Sequence, residues 1–384
     1  MNPQFRHPIL PETTHDELAR QNFVTSLKKH VFSLSVKNQG VYETRAKPRF
    51  EQEHQRSPET RYEIQQAMKD EPQYRWVSAL KRMGQELMWD SVLSSVERQL
   101  PALRERAKGV TQPLGSLTLN PDLVIPSYQQ AVDIHCMPGS YHSDLDGDDV
   151  AAGALYDRGV YLYAQGMLGP LNDDMGRSAV QNFLKREYPD FHPRHILDMG
   201  CTVGHSTLPY VEGYPEAAVH GIDIGASLLR YAHARAEALG KRVHFSQQNA
   251  EKTNFADQSF DLVVSHILFH EIPVPALRNV LRECYRLLTP GGMMVHIEAP
   301  LYRHMDPYRA FAFDWETVNN NEPFWSAFRD LDLKAEATNA GFEPDQVLET
   351  FAPNGAWLQA QSNGIPKGQG FGSRGTWFML VAWK

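Results

Sequence analysis

The chain has 384 residues, of which 42% are hydrophobic and 22% are charged, and its formal net charge at pH 7 is -8. These proportions are typical of a folded protein and exclude the weakly hydrophobic composition of a disordered chain. We expect no nucleic acid partner, because phosphate binding needs a basic surface and no run of Lys and Arg is longer than two residues.

The N-terminal stretch is polar and charged, and no later window holds 18 uninterrupted apolar residues, so neither a signal peptide nor a membrane span is expected. Cys136, Cys201 and Cys284 lie far apart and form no CxxC pair, which disfavours a zinc ribbon and a disulfide framework. We therefore expect a cytoplasmic protein with free thiols, no membrane partner and no bound metal.

Residues 1–110 predict a mainly helical N-terminal lobe, because apolar residues recur at three- and four-residue spacing with few interior glycines. The next part, residues 111–175, is first rich in Pro, Gly, Ser and Asp and then helical in pattern, which predicts an irregular connector and a helix. A connector of this length is either functional or packed on a neighbouring part, so we expect it to cover an active site. The helices of the lobe are also compatible with a homodimer.

Beyond residue 193, short apolar runs alternate with helical patterns. The runs are HILDMG, AVHGIDI, RVHFSQQ, FDLVVSHI and GGMMVHIEAP. This alternation predicts an α/β domain over residues 176–384, with a doubly wound, mostly parallel sheet. Ligands of such sheets bind beyond the carboxyl ends of the strands, which here are the loops that carry Gly200, Asp223, Asn249 and Ser265.

The loop after the first run has the order Asp198, Gly200, Thr202, Gly204. A dinucleotide fingerprint instead has the spacing GxGxxG, which brings the backbone close to a pyrophosphate. A carboxylate beside a pyrophosphate is repulsive, whereas a carboxylate beside an ammonium group is favourable. The loop therefore favours a cofactor with a cationic end.

Four segments in order resemble the class I S-adenosylmethionine-dependent methyltransferases: ILDMGCTVGHST, VHGIDIG, QQNAEKTNFADQSFDLVVSHILFHEI and ECYRLLTPGGMMVHIE. The resemblance covers roughly residues 176–300. It implies a seven-stranded, mostly parallel sheet in which TWFMLVAWK is the antiparallel strand, S-adenosyl-L-methionine as the cofactor, and methyl transfer as the activity. The N-terminal lobe resembles nothing that we can place.

By position in these motifs, the resemblance implies that Asp198 orients the methionine ammonium group and that Asp223 accepts hydrogen bonds from the ribose. Thr202 departs from the pattern, because many members of the family have a second glycine there. The residues that the resemblance implies for the cofactor site are Asp198, Gly200, Cys201, Thr202, Gly204, Asp223, Ile224, Asn249, Ala250, Glu251 and Ser265.

Methyl transfer is an in-line displacement at an activated carbon, so the protein has to align the reactants and, where needed, remove a proton. Candidate bases follow the fourth run: His266 is the preferred one, and His270 and Glu271 are others. A role of His270 and Glu271 in capping or solvating the next helix is an equally good interpretation.

An aromatic insertion at about residues 300–330 predicts a lid that excludes water and receives a small or medium organic acceptor, apolar or aromatic. Structural packing explains its aromatic residues equally well. Candidate acceptor-binding residues lie in the connector and in this insertion; they are Tyr128, His135, Tyr141, His304, Phe313 and Trp315.

Two other functions remain open at this point. The same fold can use a bound sulfonium as an electrostatic element in a cyclase, a decarboxylase or an isomerase. Alternatively, the chain is a non-catalytic binding module whose helical lobe contacts a partner. The sequence also does not distinguish oxygen, nitrogen, carbon and sulfur as the methylated atom.

Overall fold

The computed structural model describes residues 3–355 and 375–384. None of its described helices is both long and apolar enough to cross a membrane. The α-helices are α1 His15–Val36, α2 Asn38–Val41, α3 Lys47–His54, α4 Arg61–Met68, α5 Pro72–Lys108, α6 Ser127–Gln130, α7 Ala151–Tyr163, α8 Asp174–Arg177, α9 Lys185–Glu187, α10 Leu208–Gly213, α11 Ala226–Ala238, α12 Val274–Leu287, α13 Pro307–Asn319, α14 Trp325–Arg329 and α15 Leu333–Asn339. The strands are β1 Ser116–Thr118, β2 His195–Met199, β3 Ala218–Asp223, β4 His244–Gln247, β5 Phe260–His266, β6 Leu288–Glu298, β7 Val347–Pro353 and β8 Thr376–Trp383.

The strands of the described residues form one sheet in the order β1-β4-β3-β2-β5-β6-β8-β7. Strand β8 runs antiparallel to β6 and β7, and the other neighbouring strands are parallel. The order reverses between β2 and β5, which makes their carboxyl ends the switch point where ligands bind in such sheets. The predicted doubly wound, mostly parallel α/β fold is confirmed, and so is the antiparallel strand at TWFMLVAWK.

The sheet has eight strands in the described residues instead of the seven predicted, and neither edge strand is among the six that the sequence located. Strand β1 comes from the connector, which we expected to be irregular, and it pairs with β4. Strand β7 pairs with β8. Strand β1 has only three residues, and β7 has only two fully buried positions, Val347 and Ala352, so neither shows the continuous apolar run of a fully buried strand.

The sheet is buried on both faces. Ile196 and Leu262 belong to one apolar cluster, whereas their chain neighbours Leu197 and Val263 belong to the cluster on the opposite face. Successive side chains of a strand point to opposite faces, and burial of both faces explains the nearly continuous apolar runs in the sequence.

The N-terminal helices pack directly on the α/β domain. Trp89 of α5 and Leu155 of α7 share a buried cluster with Leu228 and Tyr231 of α11. The aromatic insertion closes the other side, because Phe311 of α13 is buried with residues of α1, α4 and α5. The lobe and the insertion together form a roof over the carboxyl edge of the sheet.

A buried carboxylate, Asp157 of α7, joins the lobe to the sheet. Its oxygens lie 3.1 Å from His7 Nε2, 2.9 Å from His205 Nε2 and 3.3 Å from Arg235 Nε, and Tyr231 donates a hydrogen bond of 2.9 Å. Burial alone would raise the pKa of this carboxyl, but Arg235 and His205 hold that pKa well below its usual value. One ionised side chain therefore ties together the N-terminal segment, α7, α11 and the loop after β2.

We expect Asp157→Ala to lower the free energy of unfolding by about 3–5 kcal/mol, because it leaves the buried Arg235 charge without its counter-ion. Urea denaturation followed by circular dichroism measures this change. Asp16→Ala, which removes an exposed ion pair with His15, is the control and should change stability by less than about 1 kcal/mol. Equal losses in the two variants would contradict the central role of Asp157.

Candidate active site

A cavity of about 870 Å³ lies between the roof and the carboxyl edge of the sheet. Its floor consists of the loops after β2, β3, β4 and β5, and its walls come from α1, α5, α7, the connector and the insertion. This volume is within the range of about 300–1,000 Å³ that is typical of small-molecule sites.

The loop after β2 brings its backbone to the cavity. Gly200 has φ of 71°, and a Cβ at this position would lie 2.9 Å from Leu268 Cδ1. The position therefore requires glycine. Thr202, the residue that departs from the family pattern, has φ of 46°, and its backbone N–H donates to Asp223 Oδ2 at 2.9 Å. The carboxylate thus holds a β-branched residue in a left-handed conformation that is normally unfavourable.

Asp223, at the end of β3, lines the same part of the cavity. Its second oxygen accepts a hydrogen bond of 2.9 Å from the Gly225 backbone N–H. Burial raises the pKa of this carboxyl to about 6; its backbone hydrogen bonds oppose the rise and the nearby charge of Asp198 adds to it. Each carboxylate oxygen has lone pairs for a further donor, as a ribose hydroxyl would need.

Asp198 and His266 form a buried pair on the cavity floor. His266 Nδ1 lies 3.2 Å from Asp198 Oδ1, and His266 Nε2 lies 3.2 Å from the Tyr210 hydroxyl. Thr207 donates to the other oxygen of Asp198 at 2.6 Å. Both nitrogens of His266 are therefore engaged with protein groups.

The loop after β4 is fixed by its own side chains and by the connector. Asn249 Oδ1 accepts a hydrogen bond of 2.8 Å from the Glu251 backbone N–H. The carboxylate of Glu251 accepts from Tyr128 of the connector and from Asn279 of α12, each at 2.8 Å. The connector therefore lies across this part of the cavity.

A cluster of acidic and basic side chains lies where the connector, the loop after β5 and the insertion meet. His135 Nε2 lies 2.7 Å from Glu271 Oε1, and His135 Nδ1 lies 3.1 Å from Glu322 Oε1. Tyr141 donates to Glu271 Oε1 at 3.2 Å. Burial would lower the pKa of His135, but the two carboxylates raise it well above its usual value. The imidazole is therefore a cation between two buried glutamates.

His270 extends this acid–base cluster on its other side. Its Nδ1 lies 2.6 Å from Glu298 Oε2, and its ring stacks on Trp325 of α14 at 4.1 Å. Burial opposes the protonation of His270, yet Glu298 raises the pKa above its usual value. Glu298 and Glu322 are absent from the sequence-based site. Glu298 ends strand β6 and could have been found by the strand-end rule, whereas Glu322 carries no such signal.

Most of the residues predicted for the site line this one cavity. The structure brings together Asp198, Gly200, Cys201, Thr202, Asp223, Ile224, Asn249, Ala250, Glu251, His266, His270, Glu271, Tyr128, His135, Tyr141 and Phe313.

Two residues predicted for the cofactor site lie outside the cavity lining. Ser265 is buried, and its Oγ lies 2.7 Å from His296 Nδ1, because strand alternation turns it away from the face of His266. Gly204 has φ of 76° and forms the turn into the next segment, so its contribution is to the loop conformation.

Two residues predicted for the acceptor site also lie elsewhere. Trp315 is buried among the helices of the lobe, where its indole N–H donates to Ser78 Oγ at 2.7 Å. His304 is exposed and packs beside Phe351. Within residues 3–355 and 375–384, no group of three or more His, Cys, Asp or Glu side chains is arranged to hold a metal ion.

Known proteins resemble the central part of this chain. Residues 196–292 match the family model described as a methyltransferase domain. The demethylmenaquinone methyltransferase of Thermus thermophilus is 35% identical over 108 residues, which make up 28% of this chain and 48% of that protein. The malonyl-acyl-carrier-protein O-methyltransferase 1 of Coxiella burnetii is 31% identical over 120 residues, 31% of this chain and 39% of that protein.

Solved structures show a more distant likeness. Phosphoethanolamine N-methyltransferase 2 of Haemonchus contortus, in complex with S-adenosyl-L-methionine, superposes with a TM-score of 0.38 at 17% identity, over 58% of this chain and 60% of that one. The PH0226 protein of Pyrococcus horikoshii superposes with a TM-score of 0.39 at 17% identity, over 58% of this chain and 98% of that one. The chain covers 41% and 48% of the length of the first two sequence relatives.

Proposed function

We propose that this chain, whose residues 196–292 form a class I methyltransferase domain, transfers a methyl group from S-adenosylmethionine to a small or medium organic acceptor in the roofed cavity. One observation carries the proposal: a single cavity holds both the glycine loop with Asp223 and the acid–base cluster around Glu271. The glycine loop with Asp223 is suited to a nucleoside with an amino-acid tail. The acid–base cluster is suited to an acceptor that loses a proton.

The cavity fits a cofactor with a positive charge. Five carboxylates line the cavity near the strand ends: Asp198, Asp223, Glu251, Glu271 and Glu298. Gly200 lines the cavity without a side chain, so its backbone is accessible to a ligand there. When bound, S-adenosylmethionine supplies a methyl group that is activated by a positively charged sulfur.

The chain offers a group for each part of this cofactor. Asp223 would accept hydrogen bonds from the ribose, and Asn249 and Ala250 would contact the adenine edge. The loop of Gly200 and Thr202 would hold the methionine part. The carboxylate of Asp198, already bonded to Thr207 and His266, provides negative charge beside the ammonium group.

Glu271 is the best placed base among the three candidates. His266 has both nitrogens engaged. His270 Nε2 has no hydrogen-bond partner in the described residues, but Glu298 raises the pKa of this imidazole and so favours its protonated form, which is not a base. Glu271 Oε2 has no hydrogen-bond partner in the described part of the chain, and the residue lines the cavity. Burial would raise the pKa of Glu271, but His135 lowers it below the usual value, so the carboxylate is ionised at neutral pH.

Glu271 Oε2 is therefore the group that would accept the proton lost by the acceptor atom. The electron pair of that atom would bond to the methyl carbon, and the electron pair of the methyl–sulfur bond would remain on the sulfur of the leaving S-adenosylhomocysteine. His135 and Tyr141 hold the other oxygen in place. The roof keeps water out, which strengthens these charge interactions.

The direct test of the proposed function uses methyl-labelled S-adenosylmethionine and a panel of phenols, aromatic amines and aromatic acids. We expect calorimetric binding of S-adenosylhomocysteine, and release of S-adenosylhomocysteine in step with a labelled product. Product formation without this release would instead indicate a non-methylating reaction that retains the cofactor. Absence of S-adenosylhomocysteine binding would remove the basis of the proposal.

We expect Asp223→Ala to weaken S-adenosylhomocysteine binding at least about tenfold, since it removes a charged hydrogen-bond acceptor. Affinity of the unchanged protein should also fall as the pH drops through about 6, where the raised pKa of Asp223 makes the carboxyl neutral. Asp223→Asn should lose this pH dependence. Calorimetry from pH 5 to 8 measures both effects. The control is Asp190→Ala, which changes an exposed carboxylate. An affinity of the unchanged protein that does not vary with pH would contradict the role of Asp223.

We expect Glu271→Gln to lower kcat by about 100-fold or more with the acceptor that the panel identifies, because the amide cannot take up a proton. Its affinity for S-adenosylhomocysteine should stay within about threefold of the original value. His266→Asn is the matched variant. If that variant lost activity and Glu271→Gln did not, the base would be His266.

A further inference from the structure

The roof side of the cavity carries an excess of positive charge. Among its lining residues, the helical lobe and the insertion contribute the cations Lys28, Lys29, Lys81 and Arg329. Glu316 is the acidic residue that these same segments add to the lining, and it is bonded to Lys81. The roof is therefore positive, whereas the floor near the strand ends carries the carboxylates described above.

Arg329 of α14 is a buried cation without a counter-ion. The residue is 2% exposed, and no carboxylate of the described chain lies within 4 Å of its guanidinium. Its Nε and Nη1 atoms have no hydrogen-bond partner in residues 3–355 and 375–384. A buried, unsatisfied charged group of this kind is rare in native proteins and calls for an explanation such as an absent ligand.

The acidic groups whose charges act on Arg329 are held by other partners. Glu322 Oε1 lies 3.1 Å from His135 Nδ1 as an ion pair, and Asp314 accepts a hydrogen bond of 2.9 Å from Tyr302 and pairs with Arg61. The guanidinium instead lies over aromatic rings, 4.6 Å from the centroid of Phe313 and 4.5 Å from that of Trp325. Burial lowers the pKa of Arg329, because removal from water disfavours the positive charge of the guanidinium.

Lys28 of α1 is a second cation of this kind. Its Nζ donates to Gln85 Oε1 at 2.5 Å and lies 4.8 Å from the centroid of the Tyr163 ring. No ion pair of Lys28 is present within the described ranges. Burial lowers the pKa of Lys28 to about 8, so the side chain is still mainly charged at neutral pH.

We propose that the acceptor is an aromatic or apolar carboxylic acid whose carboxylate binds to Arg329, with Lys28 as a second cation of the same roof. This inference rests on the proposed function and adds the acceptor class to it. The guanidinium presents a planar pair of donors that matches a carboxylate, and binding would satisfy its free Nε and Nη1 atoms. Phe313 and Trp325 line the same cavity and add apolar surface near the guanidinium for the body of the acid.

The charge distribution also fixes the direction of binding. The carboxylates of Asp198, Asp223 and Glu271 repel an anion from the floor of the cavity. The acid group therefore faces the roof, and the atom that receives the methyl group faces the floor and Glu271.

The test is a binding experiment in the presence of S-adenosylhomocysteine, independent of turnover. The probes are benzoate, phenylacetate, 3-phenylpropanoate and 2-naphthoate, each compared by calorimetry with its primary amide. We expect at least one acid to bind at least about tenfold more tightly than its amide, since a charged hydrogen bond to Arg329 contributes about that much. We expect Arg329→Gln to abolish this preference, and Lys28→Met to reduce it.

Arg303→Gln is the control, because Arg303 is an exposed arginine of the same insertion that pairs with Glu349 and lies outside the cavity lining. It should retain the preference for acids. The affinity of the protein for the acid should also fall as the pH rises through about 8, where Lys28 loses its charge. The other titratable groups that act on Lys28 are Lys81, Glu316, Glu322 and Cys136.

Equal binding of acids and amides, a preference that survives in Arg329→Gln, or no binding of any acid would each overturn this inference. S-adenosylhomocysteine affinity, measured on the same samples, separates the two proposals. If S-adenosylhomocysteine binds and acids are not preferred, only the acceptor class is wrong. If S-adenosylhomocysteine does not bind, the proposed function itself fails.

Discussion

The ionised side chain of Asp157 is the interaction on which the cavity depends. Asp157 lies on α7 of the roof, yet it also bonds His205, which follows Gly204 directly in the loop after β2. The carboxylate that anchors the N-terminal segment through His7 therefore also fixes the floor of the cavity. Because charges without partners are costly in a low-dielectric interior, this cluster forms only when all its members are docked. Roof and floor are thus parts of one folded unit.

The acid–base cluster at the proposed catalytic site likewise depends on the docking of separate segments. His135 belongs to the connector, Glu271 to the loop after β5 and Glu322 to the insertion, so three segments far apart in the sequence each supply one member. An imidazolium beside the ionised Glu271 is favourable there, whereas burial raises the pKa of Glu322 and the charge of His135 opposes that rise. Closure of the roof and assembly of the base are therefore coupled physically.

The strand-end residues of the site could be predicted because their positions follow from the sheet. Asp198 and Asp223 lie at the ends of adjacent parallel strands, where crossover geometry brings strand-end residues together whatever the rest of the chain does. Phe313 and Trp315 show the limit of this reasoning. They are two residues apart on α13, about 200° around the helix, so Phe313 faces the cavity while Trp315 faces the lobe. The orientation of α13 depends on its packing against distant segments of the chain, and the local sequence pattern does not predict that packing.

The helix α5 connects the positive roof with the acid–base cluster through Gln85. The Gln85 carbonyl oxygen accepts from Lys28, and its amide donates to the His135 backbone oxygen at 2.9 Å. Trp89 donates to that same oxygen at 2.7 Å. His135 and Cys136 have φ of 56° and 58°, a conformation that persists only where the surroundings impose it. Since α5 supports that conformation and also holds Lys28, it fixes the position of Lys28 relative to His135, the residue that pairs with Glu271.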